Sequence, residues 1–221
     1  ATDKKAGGSA RSLAQETLAD IDLHEGRFAE ARSKYFRIER EVFSRSRLRQ
    51  LRVKQAALTH PNGPEIIDYL HSKDTLQTRL ERTNAMLDAT PNWPIGRYLR
   101  GRVRLGTKDT TGAIEDLKAM AHSSGASALR YESWRLMAAK AFDKGCYRDA
   151  SRAYRALADS TEFEQTESER AALSRWARRA SFFANKAPSA TDSCSIEIDI
   201  VGNPPQDSGQ DGNRGDAPPV P

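Results

Sequence analysis

Apolar residues recur three and four positions apart from Arg11 to Lys186, and Gly, Pro and Asn fall between the periodic stretches. That is the period of helices that bury one face. The spacing predicts helices at about 11–25, 28–40, 41–58, 65–72, 74–89, 94–106, 110–122, 127–144, 147–159 and 166–185. Pro is nearly absent from these stretches, as helix interiors require. The connections THPNGP (59–64) and TPNWP (90–94) are marked breaks. Residues 1–10 (ATDKKAGGSA) are small and polar and are expected to be disordered. After Lys186 the chain turns to Pro, Gly and Asp without a helical period. Such a tail, 187–221, buries too little apolar surface to offset the entropy of ordering. Within it, Ile196, Ile198 and Ile200 alternate with Glu197 and Asp199, the period of a half-buried strand. A lone strand must dock on something or stay unstructured.

The helical stretches repeat. One window runs Ala19, Gly26, Phe28, Ala31, Tyr35, Ile38, and another runs Ala138, Gly145, Tyr147, Ala150, Tyr154, Leu157, with identical spacings. A middle window keeps Gly101, Ala113, Leu117 and Met120. In all three the first small residue precedes the second by twelve positions. Small residues let two helices approach closely, the glycines permit the turn between them, and the tyrosines and aliphatics fill gaps against the next pair. A single pair cannot bury both faces, so pairs must stack.

These residues resemble the tetratricopeptide repeat. EGRFAEA (25–31) and KGCYRDA (144–150) are similar to its helix–turn–helix junction, Trp134, Met137, Ala138 and Ala141 to its first-helix pattern, and Pro91 sits where that family commonly closes a repeat. The resemblance covers about half of the chain, in three windows. It implies an all-α fold: a right-handed superhelical stack of antiparallel helix pairs over 11–186, closed by a capping helix at 166–185. The frame is irregular. Ala113 to Ala150 is 37 residues, but Ala31 to Ala113 is 82, which exceeds two periods of about 34. An insertion is expected around 40–64, with 74–89 as the second helix of a degenerate unit.

Composition adds less. Hydrophobic residues are 38% and charged residues 29% of the 221, and the net charge is +5. The tail from Ala187 holds six acids and one arginine, so the body is the basic part. That suggests an acidic partner: a peptide, a nucleic acid or an anionic surface. No run of about 18 apolar residues is present, so no membrane span is expected. The chain begins at Ala1 rather than Met, and so reads as a processed product or an excised piece. Cys146 and Cys194 form no CxxC pair; no disulfide is expected, and a reducing, cytoplasmic setting is favoured, with an upstream tether to a membrane or a larger protein as the alternative.

Candidate chemistry is sparse. His24, His60, His71 and His122 show no ligand spacing, and the chain has no GxSxG, GxGxxG or phosphate-loop motif. No catalytic residue, metal or cofactor is therefore assigned. Glu115 and Asp116 read as a solvated face. Nine Lys and Arg stand between Arg32 and Lys54 against Glu39 and Glu41 alone. Arg45, Arg49 and Arg52 share a helical face, which either meets an external anion or is a solubilising surface. The family resemblance implies a concave groove lined by the first helix of each pair, which selects Tyr98 and Arg102, then Arg135, Phe142 and Asp143. An extended acidic peptide would lie there, its carboxylates on Arg102 and Arg135. The asparagines with which family members clamp a C-terminal carboxylate are missing, so that specificity is not expected. Trp176 reads as part of the cap. Arg214-Gly215-Asp216 and the Pro-rich end carry no assignment. The expectation is a non-catalytic scaffold or adaptor that binds a protein or acidic peptide. The alternatives are a basic helical-repeat protein that binds RNA or DNA, and a regulatory segment of a larger enzyme or membrane protein.

Overall fold

A computed structural model of the chain describes residues 2–41, 45–61, 63–124, 127–163 and 165–186, without the side chains of 2–9, 45 and 46. The tail, with its Ile196–Ile200 alternation, lies outside the described residues. Among these residues there are ten α-helices and no strand: α1 (Thr2–His24), α2 (Phe28–Glu39), α3 (Arg45–Ala57), α4 (Gly63–His71), α5 (Leu76–Ala89), α6 (Pro94–Gly106), α7 (Thr110–Ala121), α8 (Ser127–Asp143), α9 (Tyr147–Asp159) and α10 (Glu167–Lys186). Each matches a stretch expected from the periodicity. The largest difference is at the start: α1 begins at Thr2, so the helix runs through the segment expected to be disordered, where no proline interrupts it.

Local chemistry sets the helix starts. The Thr75 side chain accepts the Thr78 N–H at 3.2 Å, and Asp109 accepts the Gly112 N–H at 3.0 Å. Pro94 opens α6, where its missing N–H costs nothing. Thr166 and Glu169 exchange reciprocal bonds of 2.8 and 3.3 Å, a capping box ahead of α10.

The three repeat windows are three helix hairpins in one register. Gly26 and Gly145 have φ of +75° and +81°, two residues before α2 and α9. In the middle window that same position, seven after Gly101, is Lys108, and it also turns left-handed, at φ 65°. Lys108 thus fills a place that glycine fills twice, which the sequence alone had left blank. Behind the turn, the N–H of Arg27 reaches Asp22 O at 2.8 Å and that of Cys146 reaches Ala141 O at 2.9 Å, the six-to-one closure of a Schellman motif. The small residues are the contact points: Ala19, Ala31, Ala113, Ala138 and Ala150 are fully buried. A Cβ on Gly101 would stand 3.1 Å from Leu117 Cγ and 3.2 Å from Ala113 O. Tyr35, Ile38, Leu117, Met120 and Leu157 fill the core behind them.

Helices α1 and α2, α6 and α7, α8 and α9, and α9 and α10 pack as neighbours. Successive elements also meet between hairpins: α2 on α3, α5 on α6, α7 on α8. The short pair α3–α4 breaks the frame, in the interval where an insertion is expected, because α4 folds back onto α1 while α3 reaches across to α8.

Buried carboxylates join these helices. Asp20 of α1 accepts from Tyr35 at 2.5 Å and Lys54 at 2.7 Å, and lies 2.8 Å from His71 Nε2. Glu16 adds a contact to Lys54 at 2.8 Å and to Arg47 at 3.2 Å. Lys54 is only 2% exposed. One cluster thereby ties α1 to α2, α3 and α4. Burial, and then the bond to Asp20, push the Tyr35 hydroxyl far above the ordinary tyrosine range. Asp116 of α7, expected from sequence to be solvated, is instead buried. Arg100 holds it through two bonds of 2.8 Å and Arg104 through one of 2.9 Å, both from α6. The i, i+4 step from Arg100 to Arg104 aims both side chains at one point.

Lys54→Met should cost about 3 kcal/mol in denaturant unfolding, because it strands Glu16 and Asp20 beneath the helices. Adding Asp20→Asn should recover part of that loss, and equal stability of Lys54→Met and wild type would show that the cluster is not a constraint. A second expectation concerns pH. Hydrogen bonds from Lys34 and then Arg27 hold the Asp22 carboxyl below its ordinary 3.8. Its contribution to stability is complete above that value and is lost as pH falls through the lower folded one. Asp22→Asn should therefore flatten the fall in melting temperature between about pH 4 and 2; an unchanged acid limb would contradict this.

Candidate functional site

A cleft of about 350 Å³ opens where α8, α9 and α10 meet α3. Helix geometry builds it. Tyr131, Arg135, Ala139 and Phe142 share one face of α8, and Glu169, Ala172, Leu173 and Trp176 share one face of α10. Tyr154 of α9 stands between them, and Arg49 arrives from α3.

One wall is aromatic. Phe142 meets Trp176 edge-on at 5.5 Å, and Trp176 stacks on Tyr154 at 6.0 Å. The cluster continues to Tyr147 and Phe183, 5.2 and 5.9 Å from Phe142. Arg179 lies over Trp176 at 5.2 Å and over Phe142 at 5.7 Å. Trp176 remains 41% exposed although these contacts hold it, so its free face is presented rather than packed away. Burial pushes the Tyr154 hydroxyl up to about 12, with Arg135 opposing that rise and Asp143 adding to it.

The other wall is ionic. Glu132 of α8 is buried and takes a bidentate bond from Arg135 at 2.8 and 2.9 Å. Arg49 Nη1 approaches the same carboxylate at 3.4 Å. Two guanidiniums thus share one carboxylate, leaving one positive charge in excess, and the Arg49 Nε is buried without a hydrogen-bond partner. The bond to Glu132 raises the Arg135 guanidinium above its already high value. Asp143 and Glu169 also line the cleft, so its charge is mixed rather than uniformly basic. An aromatic wall facing guanidinium N–H groups suits an apolar side chain beside a carboxylate or a backbone carbonyl.

Of the residues selected from sequence, Arg49, Arg135, Phe142 and Asp143 come together here. Tyr98 and Arg102 do not. Tyr98 is buried on α6 with Arg102 5.8 Å above its ring, outside the cleft. Arg52 leaves α3 in another direction: it pairs with Glu39 of α2 and lines a second cleft with Phe28, Arg32 and Phe36. The side chain of Arg45 lies outside the described residues. The basic stretch thus finds acids that sequence proximity hides: Lys34 on Asp22, Arg47 on Glu16, Arg49 on Glu132, Lys54 on Glu16 and Asp20. Sequence reasoning missed Tyr131 and Tyr154 as groove elements, and Glu132 as the buried partner of Arg135 and Arg49. Trp176, expected to be part of the cap, both packs on the last hairpin and lines the cleft.

The expectation about cysteine is corrected. Cys146 is buried and disulfide-bonded; the chain's one other cysteine, Cys194, lies outside the described residues. Helix α10 returns along α9, and its Phe183 stacks on Tyr147 beside the α8–α9 turn that carries Cys146. Linear spacing does not reveal that return.

Among the described residues no group of three or more His, Cys, Asp or Glu is placed to hold a metal ion, and no helix is long and apolar enough to cross a membrane. Compared with known proteins, the chain matches no family model, no curated protein and no solved structure.

Proposed function

We propose that this chain is a non-catalytic, tetratricopeptide-like scaffold that binds a segment of a partner protein in the α8–α10 cleft. The observation that carries the reading is the pairing of an exposed aromatic surface on Trp176 and Phe142 with the guanidiniums of Arg49 and Arg135 in one open cleft. The three hairpins in one register support the repeat architecture, and contact between α6 and α8, the first helices of successive hairpins, is what stacked units require. The fitting ligand is an extended segment with an apolar side chain for the aromatic wall and a carboxylate for the arginines. Nucleic acid is less favoured, because Lys34, Arg47, Arg52 and Lys54, outside the cleft, already have carboxylate partners within the chain. Each cation so engaged is one fewer for phosphate.

Selection of random peptides on the full chain tests this. Enriched peptides should combine an apolar residue with a nearby acid, and Trp176→Ala or Arg135→Glu should weaken them by about tenfold or more. Selection of no consensus, or equal binding by both variants, would remove the cleft from the function.

A further inference from the structure

Helix α1 is inside out. The face it turns to the body carries Glu16, Asp20 and Asp22, all buried, beside Ser12, Ala19 and Leu23. The face it turns to solvent carries Ala10, Leu13, Ala14, Thr17, Leu18 and Ile21. Leu13, Leu18 and Ile21 are 60%, 52% and 44% exposed. The Thr17 hydroxyl donates to Leu13 O at 3.1 Å, so its polar atom is satisfied within the helix. Between Arg11 and His24 no charged side chain of α1 is exposed. A helix that ends at solvent has the opposite arrangement, and a continuous exposed apolar face marks an interaction surface.

The repeat register shows what such a face is for. Counted from Ala19 and Ala138, the places of Ala10, Ala14 and Leu18 on α1 are those of Leu129, Ser133 and Met137 on α8. All three are buried on α8, which lies between α7 and α9. Helix α7 runs up to that helix, with His122 edge-on to Trp134 at 5.0 Å and Ala121 O accepting from Arg130 at 3.2 Å. Among the described residues no helix takes the place of α7 on α1, which packs on α2 and α4.

We propose that α1 of a second copy of this chain covers this face, the two helices pairing antiparallel about a twofold axis at Leu18. Charge selects that occupant and that register. Arg11 and Glu25 are both exposed, and each lies seven residues from Leu18, about 10.5 Å along the helix and on the same side of it. The axis therefore sets Arg11 opposite Glu25 of the second copy, at both ends of the pair. Arg11 pairs with no acid among the described residues, and Glu25 meets only Arg27. Between the ends, Ala14 comes beside the larger Ile21 of the second copy, and the small Ala10 and Ala14 let the backbones approach. An anionic membrane suits the face less, because its rim holds one charge of each sign rather than a basic row. The inference goes beyond the α8–α10 cleft and does not draw on it.

Sedimentation equilibrium of the full chain tests the pairing. Wild type at about 100 μM should be mainly dimer. Leu18→Glu, at an exposed position outside the core, should weaken the dimer at least about tenfold, because the axis brings the two like charges together. Arg11→Glu and Glu25→Arg chains should each self-associate at least about tenfold more weakly, and an equimolar mixture of the two should recover a heterodimer, since both end contacts are then opposite in sign. A wild type that is monomeric at about 100 μM, a dimer that survives Leu18→Glu, or a mixture that associates no better than either variant alone would each overturn the proposal. A monomer whose binding to anionic vesicles is lost in Leu18→Glu would overturn it too, and give the face to a membrane surface.

Discussion

Carboxylates buried between helices, each shared by more than one side-chain partner, are the constraint on which this structure depends. Asp20 and Glu16 collect Lys54, Arg47, His71 and Tyr35; Asp116 collects Arg100 and Arg104; Glu132 collects Arg135 and Arg49. Apolar contact alone tolerates a helix sliding or rotating by a residue. A buried charge does not, because an unpaired ion beneath the surface is far costlier than a lost van der Waals contact. The ion clusters thereby select which helices meet, while the Ala and Gly contact points set how closely they approach.

That division explains how an irregular frame still closes. The three hairpins obey one rule, small residue against small residue across a left-handed turn. The α3–α4 pair lies outside the rule: its Leu51, Ile66 and Ile67 join the core, and charge fixes its place. Lys54 fixes it to α1, and Arg49 fixes it to α8. The second of these contacts bears on the proposed function, since the buried Glu132 holds both arginines of the cleft's ionic wall. A contact made for stability is also the one that positions a recognition surface.

The helices were legible in the sequence because their signal is local. Periodicity located all ten, and the Gly26 and Gly145 turns could be inferred from residues a few positions apart. Half of the cleft was legible too: Arg135, Phe142 and Asp143 lie on one helix face at helical spacing, and Arg49 was selected for its charge. The rest was hidden by distance along the chain. Glu132 and Arg49 are separated by most of the intervening fold, as are Asp20 and His71, and no pattern of nearby residues announces such a pair. Tyr154 and Trp176 reach the cleft because α10 folds back along α9, and that return is a tertiary fact. Asp116 was misread for the same reason: its arginines come from the preceding helix across a turn, not from its own face. Lys108 was overlooked because its left-handed turn is specified by the hairpin around it rather than by its residue type.

A double-mutant cycle on Glu132→Gln and Arg49→Met, read by denaturant unfolding, measures the junction between α3 and α8 directly. A coupling energy of about 1 kcal/mol or more is expected if this buried pair joins the inserted helices to the repeat body. Additivity within about 0.3 kcal/mol would contradict it, and would show that the helices are held together by packing alone.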